Sequence, residues 1–211
     1  MTQFRKPTGL IGKFLAKGMA WGHRDFYKNT AKMLNLKHDD KYLEIGFGSG
    51  LFIKKYASHV SRIAGLDYSE DMVKLASNIN KNIVRSGKAE FIHGDISSLP
   101  WQNDKFSIVV CIETFFFWSE PLVALKEIYR VLIPGGRLVI EMAYNKDDGL
   151  DHTKHIEKMK LNLYSANEMK EILKEAGFKS IVIDYYKGVR IPFKGYVVPR
   201  GMVVKATKKT D

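Results

Sequence analysis

From residue 41 onward the chain alternates short apolar runs rich in β-branched residues with longer amphipathic ones. The short runs predict strands over Tyr42–Ile45, Arg62–Asp67, Ala89–His93, Phe106–Ile112 and Arg137–Met142. Lys179–Asp184 and Met202–Thr207 read as two more. The amphipathic runs predict helices over Leu51–Ser58, Ser69–Val84, Pro121–Leu132 and Ala166–Ala176. Strands that alternate with helices imply right-handed crossovers and a parallel sheet covered on both faces. Phe106–Cys111 and Leu138–Ile140 are nearly all apolar, as central parallel strands are.

Helix punctuation agrees with this reading. Ser69 precedes Glu70 and Asp71, an N-cap followed by acids in the first turn. Gly135-Gly136 ends one helix and turns into a strand, and Gly177 reads as a glycine just past a helix end. Between the last two strands stand Gly188, Pro192, Gly195 and Pro199, so no tight turn is expected there. Ahead of the sheet, Leu10–Ala20 and Asp25–Leu36 read as helical, the first interrupted by Gly12 and Gly18. The organisation expected is an N-terminal helical extension, residues 1–38, and one α/β domain, residues 39–211.

Composition adds bounds. Of 211 residues, 45% are hydrophobic and 27% charged, as in an ordinary globular domain with a substantial core. No apolar run approaches the ~20 residues needed to span a bilayer. The basic N-terminus has no continuous apolar stretch of the signal-peptide kind, and a cytoplasmic protein is expected. The single cysteine, Cys111, excludes a disulfide framework and a cysteine-rich metal site. The net charge of +11 would suit an anionic partner. The basic residues are scattered, however, which is the pattern of a solvated surface.

The stretch Tyr42–Gly50, YLEIGFGSG, leaves a predicted strand and opens a predicted helix. Glycines there let the backbone turn sharply and approach a ligand closely. The helix start offers free N–H groups. Asp67 stands at the end of the next strand, where an acid can accept hydrogen bonds from both ribose hydroxyls. Two details argue against a dinucleotide. The glycines are Gly46, Gly48 and Gly50, which is G-x-G-x-G and not G-x-G-x-x-G. Glu44 immediately before them would oppose a pyrophosphate, but it suits a nucleoside ligand that carries an ammonium group.

With these motifs in place, the chain resembles the class I S-adenosylmethionine-dependent methyltransferases over about residues 40–184. LEIGFGSG is similar to the family's glycine loop. GLDYSEDMVKLA is similar to its ribose segment and HGDISSLPW to its adenine segment. FSIVVCIETFFFW and EIYRVLIPGGRLVI are similar to the fourth strand and to the helix, turn and fifth strand. The resemblance implies a Rossmann-like, seven-stranded, mostly parallel sheet with an antiparallel last strand and helices on both faces. It implies S-adenosyl-L-methionine as cofactor, bound by Glu44, Gly46, Gly48, Gly50, Asp67, Tyr68, Met72, Asp95, Ile96 and Ile112. The sequence itself shows no clustered set of carboxylates that suggests a required magnesium, and no metal is expected. One departure is Ser107, where the family usually begins its fourth strand with aspartate, and this puts local packing in question.

The acceptor must be read from the walls. No N/D-P-P-Y/F tetrapeptide follows the fourth strand, where Glu113-Thr114-Phe115-Phe116 stands, and no Pro-Cys nucleophile is present. Nucleic acid is therefore disfavoured. Phe117, Trp118, Met142 and Tyr144 are expected to line an apolar, aromatic acceptor site, with Glu113, His152 and Tyr144 as candidate catalytic groups. Residues Asn145–Tyr164 are expected to form an acceptor loop. The segment Phe4–His23 has an apolar stripe with basic residues opposite; it reads as a lid over the acceptor, or as a helix lying on an anionic membrane. The insert Tyr185–Arg200 is a second expected wall. The leading reading is a methyltransferase for a small, partly apolar molecule. RNA or anionic lipid is the alternative acceptor, and a non-catalytic S-adenosylmethionine-binding regulator the alternative class.

Overall fold

The computed structural model describes residues 33–190 and 197–210, together with Gly9, Thr30 and Ala31. Seven strands form one sheet: β1 (Lys41–Ile45), β2 (Arg62–Asp67), β3 (Ala89–His93), β4 (Phe106–Ile112), β5 (Leu132–Met142), β6 (Lys179–Arg190) and β7 (Val197–Thr207). Their order is β3-β2-β1-β4-β5-β7-β6. The first five run parallel, and β7 runs antiparallel to both β5 and β6. The order reverses between β1 and β4. Such a switch point leaves a crevice at the carboxyl ends of the strands, where α/β folds bind ligands.

The helices are α1 (Leu51–Tyr56), α2 (Glu70–Ile79), α3 (Lys81–Arg85), α4 (Pro121–Val131), α5 (Thr153–Met159) and α6 (Ala166–Glu175). Side chains alternate across the sheet, so each face has its own core. On one face Phe52 and Ile53 of α1 and Ala76 of α2 pack against Tyr42, Ile108, Val110 and Val139. On the other, Leu125 and Ile128 of α4 and Met169 and Leu173 of α6 pack against Leu43, Ile45, Val109, Cys111 and Ile140. Each fully buried Leu or Ile contributes about 1.5–3 kcal/mol relative to leaving it exposed. Among the described residues no helix is long and apolar enough to cross a membrane.

Four expectations need adjusting. The helix expected over Ser69–Val84 divides at Asn80. That side chain turns inward and its Nδ2 donates to the carbonyls of Gly50 and Ala76, each at 3.0 Å, competing with helix continuation. Gly135 and Gly136 do not precede the fifth strand but lie inside it. The strand starts at Leu132, its register shifts between Phe106 and Ile108, and the glycines pair with Lys208. The last two strands are longer than expected and form a hairpin whose connection, residues 191–196, lies outside the described residues. The polar stretch Asn145–Tyr164 contains helix α5, which sequence pattern missed because most of it is exposed and shows no apolar period.

Ser107 resolves its own question. Its hydroxyl donates to Oδ1 of Asp40 at 2.7 Å, and Arg137 binds Oδ2 of the same residue at 2.6 Å. The carboxylate missing from position 107 is supplied from position 40, at the strand ends opposite the crevice. The lid expected over Phe4–His23 lies outside the described residues apart from Gly9, whose N–H donates to Asp71 Oδ2 at 2.9 Å.

Candidate functional site

The loop after β1 is built on three left-handed glycines, with φ of 70° at Gly46, 52° at Gly48 and 72° at Gly50. Each position excludes a side chain for its own reason. A Cβ on Gly46 would lie 2.6 Å from Thr114 Oγ1. One on Gly50 would lie 2.8 Å from both Ala76 Cβ and Asn80 Nδ2, so glycine is what admits α2. At Gly48 a Cβ would meet nothing within 4 Å, and there only the backbone conformation excludes it. Phe47, between them, is buried and packs against Phe91, the ring centroids 5.0 Å apart and the planes tilted by 49°.

Asp67 ends β2 and locks this loop. Its Oδ2 accepts the Gly48 N–H at 2.8 Å and its Oδ1 accepts the Ser69 N–H at 2.9 Å. Each oxygen keeps a second lone pair. Glu44 lies beneath, almost fully buried, and accepts the Tyr42 hydroxyl at 2.6 Å. Burial pushes the Glu44 carboxyl up to about 8, opposed by the Tyr42 hydrogen bond and reinforced by the charge of Asp67. Burial likewise raises Asp67 to about 6, against the pull of the Ser69 and Gly48 amides and the charge of His93. Two carboxyl groups beside an open backbone loop make a site short of positive charge.

The remaining expected donor-site residues divide. Tyr68 is exposed at 42%, next to Asp67. Met72 is fully buried on α2 and Ile112 nearly so. Asp95 is exposed, and its Oδ1 accepts the Ser97 N–H and hydroxyl at 2.9 and 2.7 Å, an Asx turn. Ile96 packs against the core beside it.

Of the expected acceptor wall, Met142, Trp118 and Tyr144 are buried and Phe117 is half-buried. Their neighbours Phe115 and Phe116 are core residues: Phe115 packs on Trp118 at 4.7 Å, and Phe116 on Tyr144 at 6.1 Å. His152 is buried, and its Nε2 is paired with Asp148 Oδ2 at 2.7 Å. Its ring stands edge-on to Tyr144 at 5.5 Å. The loop after β5 is stitched to the hairpin. Tyr185 donates to Asp147 at 2.7 Å, Asn145 donates to the Arg200 carbonyl at 2.7 Å, and Arg200 stacks on the Tyr185 ring.

Glu113 leaves β4 with a left-handed φ of 55°, rare for a residue with a side chain. Its N–H donates to the Glu141 carbonyl at 3.0 Å, and its carboxylate accepts the Ala143 N–H. Burial raises its carboxyl to about 7. Sequence reasoning missed Thr114, Asn80 and Glu141 at this end of the sheet; Tyr186 lies within the expected wall Tyr185–Arg200, but its contact with Glu141 was not foreseen. One signal was present: Glu141 is the single acid in the otherwise apolar run Leu138–Met142. Among the described residues no group of acids, histidines and cysteines is arranged to hold a metal.

The profile of a methyltransferase domain matches residues 43–140. The chain is similar to an uncharacterised methyltransferase, YdaC of Bacillus subtilis, with 28% identity over 74% of this chain and 81% of that one. It is also 28% identical to the demethylmenaquinone methyltransferase of Staphylococcus saprophyticus, over 56% of this chain and 50% of that one. The chain thus spans about half the length of that relative. Among solved structures, phosphoethanolamine N-methyltransferase 2 of Haemonchus contortus, in complex with phosphomonomethylethanolamine and S-adenosylhomocysteine, superposes with a TM-score of 0.78 at 15% identity. The match covers 100% of this chain and 61% of that one and speaks for the fold.

Proposed function

We propose that the chain is a class I S-adenosylmethionine-dependent methyltransferase, in line with the methyltransferase-domain match over residues 43–140, and that it methylates a small, partly apolar acceptor. The observation that carries the reading is the unit formed by the glycine loop, Glu44 and Asp67. The open side of Gly48 leaves the loop backbone free to lie against a ligand. The spare lone pairs of Asp67 suit a pair of vicinal hydroxyls, and the buried Glu44 suits an ammonium group behind the loop. S-adenosylmethionine has both features, and it supplies an electrophilic methyl carbon when bound.

The chain's own part is positioning. The loop and Asp67 hold the donor, and the Thr114 side chain packs against Gly46 to fix the loop's height over β4. Holding two reactants aligned supplies much of the acceleration in such a displacement. For a partly apolar acceptor, support comes from the aromatic cluster Phe115–Trp118 with Tyr144, and from relatives named for demethylmenaquinone.

Calorimetry tests the reading. S-adenosylmethionine or its demethylated product should bind in the micromolar range, and Asp67→Ala should abolish binding while circular dichroism stays unchanged. Equal binding by that variant would overturn the site. Transfer of a labelled methyl group to small molecules of a cell extract, and not to its RNA or lipid, is the expected catalytic result.

A further inference from the structure

Two glutamates meet beside the loop, at the carboxyl ends of β4 and β5. Glu113 closes β4, and its carboxylate is tied to the Ala143 N–H. Glu141 lies on β5 opposite Ile112 and is fully buried. Its Oε1 accepts the hydroxyl of Tyr186 from β6, and its Oε2 has no hydrogen-bond partner. The tyrosine reaches Glu141 by crossing β7 at Gly201, its register partner. Any Cβ at Gly201 would run into the Tyr186 ring. The glycine and the tyrosine together deliver one hydroxyl to one buried acid.

An unsatisfied buried carboxylate oxygen is expensive in a folded protein. It persists where the group is neutral or where a ligand completes it. Burial pushes both acids up, and the charge of Glu113 adds to the shift of Glu141. Among the described residues the groups facing the pair are each other and Tyr186, whose own hydroxyl is driven up by burial and then by these two carboxylates. Among the described residues no lysine or arginine pairs with either glutamate. Among the described residues the pair therefore lacks a cation, and it lies at the same end of the sheet as the glycine loop, the carboxyl ends of the parallel strands.

We propose that Glu113 and Glu141 receive the basic nitrogen of an amine acceptor, with Tyr186 holding Glu141 in place. This rests on the methyltransferase reading and narrows its acceptor to a molecule with an ionisable amine on a partly apolar body. An ammonium group brings up to three donors and one positive charge. It satisfies the unpartnered Oε2 and removes the repulsion between the acids. It can then give one proton to a Glu113 oxygen: the N–H bond breaks, its electron pair stays on nitrogen, and the carboxylate becomes a carboxylic acid. The nitrogen is left with the lone pair that a methyl acceptor needs, and the acid returns the proton to water. A neutral alcohol brings no charge to the pair, and an anionic acceptor is repelled by it.

The test is calorimetry on the full chain with a panel of aliphatic and arylalkyl amines, each matched with its alcohol isostere. It is run with and without S-adenosylhomocysteine. At least one amine should bind roughly tenfold or more tighter than its alcohol, and its affinity should rise as pH increases through about 7, where Glu113 ionises. The preference should vanish in E113Q/E141Q and weaken in Y186F, while S-adenosylhomocysteine still binds both variants. If no amine is preferred, or if the double variant keeps the preference, the proposal is overturned. Failure of S-adenosylhomocysteine to bind the unaltered chain would instead refute the methyltransferase reading, and the amine titration without it would still report on the glutamate pair.

Discussion

Gly48 donates its backbone N–H to Oδ2 of Asp67 at 2.8 Å. The loop after β1 and the acid after β2 are therefore one unit, and a ligand that reaches the acid also meets the loop. Replacing Asp67 by Asn keeps one carbonyl acceptor but puts an amide where either Gly48 or Ser69 must donate. S-adenosylmethionine binding should weaken roughly tenfold or more, by the ~1.5–3 kcal/mol of a hydrogen bond to a charged group. Titration calorimetry of this variant checks it.

On the proposed site, Glu44 should make donor binding a proton-linked event. Its carboxyl stands near 8 in the folded chain against an ordinary 4.5, so the folded state holds a proton that the unfolded state has lost between those values. That raised value costs stability as pH climbs from 4.5 to 8. A bound ammonium group favours the ionised form, so binding at pH 7 should release a proton and tighten as pH approaches 8. Calorimetry in buffers of differing ionisation enthalpy measures the release. Glu44→Gln should abolish it, and should raise the ligand-free melting temperature more at pH 9 than at pH 5.

Arg137 and Ser107 share the buried carboxylate of Asp40. Arg137→Ala leaves that carboxylate with the hydroxyl and backbone alone. A fully buried pair broken in this way costs about 3–5 kcal/mol; here the arginine is partly exposed, and about 2 kcal/mol is expected. Urea unfolding reads the loss. Donor binding should be unchanged, since the trio sits at the far ends of the strands.

Gly50→Ala should be worse than Gly48→Ala. Both positions are left-handed, but only at Gly50 would the new methyl meet Ala76 and Asn80 at 2.8 Å. Backbone strain of about 1–3 kcal/mol applies to both. Overpacking adds a comparable amount at Gly50. Melting temperatures of the two variants, which shift by roughly 2–4 °C per kcal/mol in a domain of this size, should fall in that order.

The pattern of apolar positions was enough for the parallel half of the sheet. Arg62–Asp67, Ala89–His93 and Phe106–Ile112 were legible to the residue; the interior strands β2 and β4 are buried along most of their length and leave apolar runs with sharp polar borders, whereas β3 is an edge strand that is only partly buried. Helix α5 was not legible, since an exposed short helix carries no apolar stripe. Nor was the break at Asn80, because it depends on a carbonyl of Gly50, thirty residues away in the chain.

The sequence by itself determined the layered α/β plan, the resemblance to the methyltransferases, and the glycine loop with its two acids. All three depend on local spacing: the period of a strand, the turn a glycine permits, and the length of one strand–helix unit. Only the tertiary structure decided what those acids meet. Asp67 closes on Gly48, Asp40 stands in for a carboxylate missing at Ser107, and Glu141 is reached by Tyr186 across Gly201. Each joins segments that are separate in the sequence. The register that sets it comes from packing the whole sheet between its two cores, which no short stretch of the chain contains.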